Sequence, residues 1–466
     1  MANPAELQKQ TVIQLVGRVL NLALGLGAVA IMTRALGQAG FGEYTTVIAF
    51  LQFVAMVSGF GLGMTVGREV GRNDLDAPKF LGNVVSFRLL TAAICFATAP
   101  LIAMGLGYSP EIIQGILFTS LGFFASSLTA ALVGVFQAKL KSATLVYVDL
   151  VGKLIMVLGV AGVAYVGGSL TAYLAIFVVA NLLTCLAAIV GVYRLVPFRL
   201  HYDRAAWLSL WRITWPIAIT TTLNVIYFKA DTVILSLMQP AEDVALYGAA
   251  YNVLEVLLAV PAIIGGLVLP LMAQARSQAD TQGFARLYQG SFDVLLGGGL
   301  AVLVGAHLAG IPLMTLVAGA NFALSGQVLA ILSLAILCSF LGNAAGYALF
   351  ALDEQKRLIP VFGLGALVGL ASYLVLIPRY SYWGAAWGTV VVEVIVNLAM
   401  IVVLWRLGFK PSASRWPKLL LATLALGLGL ALPLPLVGKV VLGGALWLAV
   451  LWSGKLIPSR STPTDS

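Results

Sequence analysis

Gln14, Arg18, Asn21 and Gly25 fall at i, i+4, i+7 and i+11, the spacing of one helical face. An arginine offers a planar fork of N–H donors that matches phosphate oxygens, and the amides beside it add neutral donors and acceptors. A second stripe repeats the pattern. Thr220, Asn224, Tyr227 and Asp231 each lie 206 residues beyond their counterparts. This stripe ends in an acid, which suits a proton or a cation. Lys229 stands two residues from Asp231, about 200° around a helix, so the two form no simple intrahelical pair. Its stem either snorkels toward the outer surface or carries the ammonium to an acid on another helix.

Other polar residues share helical faces. Asp149 and Lys153 are spaced for an i, i+4 pair with the acid N-terminal, the better order. Tyr247, Tyr251 and Glu255 lie on one face, as do Ser339, Asn343 and Tyr347, and Glu393 and Asn397. His307 reads either as a packed neutral histidine or as a proton relay.

The elements that position these groups are membrane helices. Of 466 residues, 61% are hydrophobic and 10% charged, against about 25% charged in a soluble domain. Apolar runs recur from residue 11 to residue 452, which leaves no stretch for a soluble domain. The first run is not a cleaved signal peptide, because it is long and holds Arg18. A spanning helix takes about 20 apolar residues. Fourteen candidates follow: 11–33, 43–66, 85–107, 111–136, 145–166, 170–193, 212–237, 245–271, 288–312, 327–350, 358–377, 383–405, 417–436 and 439–453. Pro433, Pro435 and Lys439 interrupt the last two, which also fit one re-entrant segment.

Charge sets the orientation. With the N-terminus inside, 21 of the 27 lysines and arginines, Arg88 among them, fall on the cytoplasmic side. Three, Arg34, Arg379 and Lys439, fall outside, and Arg18, Lys153 and Lys229 lie at membrane depth. Both termini are therefore expected in the cytoplasm, and the net charge of +9 is topogenic, with no nucleic acid implied.

The chain also repeats itself. "LGQAGFGEYTTVIAF" (36–50) resembles "LMQPAEDVALYGAAY" (237–251) at an offset near 203, and "VYRL" (192–195) resembles "LWRL" (404–407) at 212. The expected architecture is an all-α polytopic membrane protein with two six-helix lobes. An N-terminal lobe spans 1–205, a C-terminal lobe 206–410 and a two-helix tail 411–466. Six is an even number, so the halves run parallel, related by an axis along the membrane normal. The two polar stripes then face each other across a central cavity, since lipid offers them no partners. The 49 glycines permit close packing and the small shifts of alternating access.

Enzyme chemistry is not expected. There is no phosphate-cradling P-loop, no metal-ligand spacing and no large outer loop with paired carboxylates. The longest outer loop, near 313–326, carries no charge, which counts against a membrane-embedded polymerase or ligase. Cys95, Cys185 and Cys338 lie far apart in apolar runs and read as packed thiols. Neither a metal nor a cofactor is expected.

Three stretches carry a family resemblance: "TRALGQAGFGEY" (33–44), "YFKADTVILSLM" (227–238) and "YGAAYNVLEVLLAVPAIIGGLVLPLMAQ" (247–274). They resemble the first outer loop, helix 7 and helix 8 of polysaccharide and O-antigen flippases. These belong to the multidrug/oligosaccharidyl-lipid/polysaccharide exporter (MOP) superfamily. The resemblance implies a transporter that flips isoprenoid-diphosphate-linked oligosaccharide from the inner to the outer leaflet of the cell membrane by ion- or potential-coupled alternating access. It implies a substrate-binding cavity of Gln14, Arg18, Asn21, Lys153, Asn224, Tyr227, Lys229 and Tyr251, with coupling at Asp231, Glu255 or Glu393. Polysaccharide polymerase or assembly proteins are the implied partners. Arg18 matches an arginine position of lipid II flippases. Those proteins crowd further charges into helices 1 and 2, whereas Ala23, Leu24 and Gly25 follow here, which favours the O-antigen-like branch. A drug/cation antiporter of the same superfamily is the alternative. It predicts a more acidic cavity and no tail.

Overall fold

A computed structural model describes residues 4–58, 77–139 and 142–453. The side chains of 4–12, 15, 57, 137, 142, 145, 213–228 and 453 lie outside that description. The described residues are helical almost throughout, with no strand among them. In order they form α1 (Pro4–Val57), α2 (Ala77–Gly105), α3 (Pro110–Ala138), α4 (Ser142–Tyr165), α5 (Leu170–Leu195), α6 (Arg204–Met238), α7 (Ala241–Ser277), α8 (Thr281–Ala318), α9 (Ala323–Ala351), α10 (Leu358–Arg406), α11 (Trp416–Ala431) and α12 (Leu436–Ser453).

Two of these elements are each two consecutive helices joined at a single non-helical residue. Gly37 breaks α1 at φ 65°, a conformation that costs glycine nothing. Ser381 breaks α10 at φ 50°, three residues after Pro378. The α10 arms fold back on each other: Tyr373 Oη lies 3.4 Å from Thr389 Oγ1, and a Cβ on Gly369 would meet Val392 at 3.3 Å. Taking the arms separately, fourteen helical segments match the fourteen expected spans one to one. Residues 59–66 of the second span lie outside the described residues. The tail is two helices, not one re-entrant segment. Its helices cross so closely that a Cβ on Gly429 would stand 2.5 Å from Gly443 Cα.

Nine of the described helices are long and apolar enough to cross a membrane. Exposed leucines such as Leu158, Leu367 and Leu428, each at least 70% exposed, fit lipid and not water. The protein is multi-pass.

The chain divides into two compact units, Met1–Gly248 and Ala249–Ser466. In the first, α3 packs on α5 and α2, while α1 packs on α4 and α6. Its core gathers Leu81, Val85, Phe136, Ala188 and Val192 among α2, α3 and α5. In the second, α9 packs between α8 and α10, and the α11–α12 hairpin rests on α8. Packing thus groups α6 and the start of α7 with the first unit, whereas the sequence repeat opens a new half near residue 206. Within that unit a Cβ on Gly248 would stand 2.7 Å from Thr45 Cγ2. These residues are 203 apart and are each other's repeat counterparts.

Candidate functional site

The first stripe keeps its face. Gly17 takes α1 against Val146 of α4 so closely that a Cβ would overlap the valine. Two turns on, a Cβ at Gly25 would stand 3.9 Å from Lys153 Nζ. The ammonium of α4 therefore lies over the end of the Arg18 stripe. Arg18 and Gln14 are exposed, and Lys153 is half-buried. Asn21, between Arg18 and Gly25 on the same face, has a buried Oδ1 without a hydrogen-bond partner among the described residues. The fold brings Arg18, Asn21 and Lys153, three of the predicted residues, to one surface. Asp149 precedes Lys153 by one turn and is also half-buried.

The second stripe ends in a buried network. Asp231 is 1% exposed. Its Oδ2 accepts from Tyr247 Oη at 2.6 Å, and its Oδ1 accepts from Thr232 N–H at 2.6 Å and Thr232 Oγ1 at 3.1 Å. These three donors suit an ionised carboxylate. Tyr108 Oη and Ser236 Oγ, 2.7 Å apart, tie the next turn of α6 to the α2–α3 connection. A Cβ at Gly42 would overlap the Ala241 carbonyl, so the arm of α1 beyond Gly37 backs directly onto the start of α7. Lys229 is half-buried. The Asn224 and Tyr227 side chains lie outside the described residues.

The second unit holds its own buried acid. Glu393 is 5% and Asn397 3% exposed. Asn397 Nδ2 donates to Glu393 Oε2 at 2.6 Å and to its carbonyl at 2.7 Å. Gly342 of α9 leaves the space that Asn397 fills. Tyr251 is buried on α7, and Glu255 is exposed one turn beyond it.

Sequence reasoning missed two residues. Tyr247 was legible as the counterpart of Tyr44 but not as the donor to Asp231. Arg88 read as a loop-side cation, yet it stands about three turns into α2 and is 3% exposed. Its Nη1 donates to the carbonyl of Ser58 at the end of α1, and its Nε donates to the carbonyl of Ser127 on α3 at 3.3 Å. Its Nη2 lies 3.5 Å from Ser58 Oγ. No carboxylate among the described residues pairs with it. His307 is exposed, not packed, with Nδ1 2.9 Å from Leu303 O. Among the described residues no three His, Cys, Asp or Glu side chains gather as a metal site.

A family model described as polysaccharide biosynthesis protein matches residues 7–276. No curated protein sequence matches the chain. Among solved structures, the lipid II flippase MurJ in an inward closed conformation superposes with a TM-score of 0.81, at 14% identity over 96% of this chain and 98% of that one. An inward-facing MATE family multidrug resistance transporter of the MOP superfamily gives 0.65, at 14% identity over 86% and 98%. A MOP superfamily transporter from Pyrococcus furiosus gives 0.61, at 13% identity over 86% and 95%. At these identities the likeness concerns the fold alone. The family match covers more than half of the chain, and the chain therefore belongs to the polysaccharide biosynthesis protein family, on the fold that MurJ and the MATE transporters share.

Proposed function

We propose that this protein moves an isoprenoid-diphosphate-linked oligosaccharide, an O-antigen or other surface polysaccharide repeat unit, from the inner to the outer leaflet by alternating access. The observation that carries the reading is Lys153 Nζ lying over Gly25, the end of the stripe that holds Arg18, with the Asn21 oxygen, unpartnered among the described residues, between their levels. Two cations on one face suit a diphosphate and repel the cations that a drug antiporter would carry. The family supports a polysaccharide precursor, and the MurJ likeness supports a lipid-linked one.

In this reading Arg18 and Lys153 neutralise the diphosphate, with Lys229 as a further cation. Gln14, Asn21, Asn224, Tyr227 and Tyr251 meet the sugars. Asp231, Glu255 and Glu393 carry the coupling proton or cation, of which Glu255 is the exposed one. The lobes are 1–205 and 206–410 with the tail at 411–466, and both termini are cytoplasmic in a cell membrane. A polymerase or assembly protein receives the flipped unit.

The test is flipping of a lipid-diphosphate oligosaccharide in proteoliposomes. Native protein is expected to flip, and Arg18→Ala with Lys153→Ala to fail while remaining folded. Extrusion of cationic dyes without flipping would replace this reading with the antiporter.

A further inference from the structure

Residues 196–203 carry the chain from α5 into α6, and residues 407–415 carry it from α10 into α11. Each strap leaves the sixth helix of its sequence half, and each is held by the third helix of that half. In the first unit Asn83 of α2, 2% exposed, accepts from Asp203 N–H at 2.9 Å. Its own Nδ2 donates to Lys79 O at 3.0 Å, which fixes the orientation of the amide. Gly82 lets the strap run past: a Cβ there would overlap the Arg199 carbonyl. Asp203 then accepts from Ala205 and Ala206 N–H at the head of α6. Trp207, in the first turn of α6, meets Phe87 edge to face with ring centroids 5.4 Å apart.

The second unit repeats the arrangement. Gln289 of α8 accepts from Ser412 N–H at 2.6 Å and donates to Ser412 C=O at 2.9 Å. Trp416, at the head of α11, stacks on Phe292 with centroids 6.2 Å apart. Arg415 adds an ion pair to the buried Asp293 at 3.5 Å. Both indoles, Trp207 and Trp416, keep a buried Nε1 without a partner among the described residues. The amides are 206 residues apart, the phenylalanines 205 and the tryptophans 209. The first of these is the offset of the two polar stripes.

We propose that Asn83 and Gln289 are a duplicated latch, two positioning residues that each seat a strap and the base of the helix that follows it. The first latch fixes the base of α6, the helix that carries Lys229 and Asp231. The second fixes the base of α11, so the tail docks on the second half as α6 docks on the first. The effect on transport rests on the flippase reading, whereas the latch itself is measured without substrate.

The experiment is hydrogen exchange of the full chain in lipid nanodiscs, paired with flipping in proteoliposomes. Asn83→Leu is expected to raise exchange of the 196–203 amides roughly three- to tenfold, the change expected from one lost hydrogen bond, and to leave 407–415 as in native protein. Gln289→Leu is expected to do the reverse. Asn83→Leu is also expected to slow flipping without weakening binding of the lipid-diphosphate oligosaccharide, and Asn83→Gln to recover part of the rate. If Asn83→Leu does not fold, Asn83→Ser gives the same exchange readout. The latch is overturned if a strap's exchange is unchanged by its own variant, or if both straps loosen together. It is equally overturned if the strap loosens while flipping by an active protein stays at the native rate.

Discussion

Arg18 and Arg88 are arginines on membrane-length helices of the same unit, and the protein holds them in opposite ways. Arg18 is exposed, one turn from an amide oxygen without a partner among the described residues, with a lysine two turns further along the same face. Arg88 is buried, and its guanidinium is spent on carbonyls from two other helices. The Ser58 carbonyl ends a helical arm, where the backbone dipole leaves partial negative charge that a cation offsets. The same side chain is thus exposed at one position and a three-helix pin at the other. A count of charges per loop cannot tell them apart.

The largest expected effect tests that division. Arg88→Ala removes the pin and leaves buried carbonyls unpaired, at a cost of about 3 kcal/mol. A large drop in melting temperature in detergent is expected. Arg88→Lys recovers little of it, because one ammonium does not reproduce the fork that spans α1 and α3. Arg18→Ala is expected to change stability by less than about 0.5 kcal/mol, as exposed substitutions do, while abolishing flipping. A melting temperature for Arg88→Ala equal to native would sink the pin. A strong loss of stability in Arg18→Ala would make that residue structural too.

The comparison also marks what could be read from the chain. The fourteen helical segments were legible because a bilayer imposes a fixed apolar length. Even the α10 hairpin was anticipated as two spans, although the backbone is helical up to a single residue, Ser381. The stripe from Gln14 to Gly25 was legible because a polar face at 3.6-residue spacing has no reason to exist in lipid. Its neighbour was not. That Lys153 reaches Gly25 depends on how α4 lies against α1, a tertiary fact that Gly17 and Val146 decide. Tyr247 escaped for the same reason: its bond to Asp231 joins two helices, and periodicity speaks only within one. Arg88 escaped because its position near a predicted helix end looked topogenic.

A smaller effect sharpens the Arg18 side of the comparison. The Gly25 position has room for a methyl, since 3.9 Å from Lys153 Nζ is ordinary contact. Gly25→Ala is expected to leave flipping near native. Gly25→Leu pushes a branched side chain into the space of the ammonium and is expected to weaken substrate binding about tenfold, a loss of roughly 1.4 kcal/mol. Titration of the lipid-diphosphate oligosaccharide against both variants checks the order. Equal affinity for the two would mean that Lys153 takes no part in the site.

The smallest effect on stability is the most telling, because its sign is unusual. A buried amide oxygen without a partner costs about 1–3 kcal/mol of desolvation. Among the described residues, Asn21 Oδ1 is such an oxygen. If the residue served only packing, an apolar side chain of similar size would be the better choice, since that exchange removes the penalty. Asn21→Leu is therefore expected to raise the melting temperature slightly. It is expected at the same time to lower affinity for the lipid-linked oligosaccharide, because on the flippase reading that oxygen meets the sugars. A variant both more stable and less able to bind separates ligand from scaffold, as Arg18 is separated from Arg88. Loss of stability in Asn21→Leu would instead show that the amide is already used within the fold.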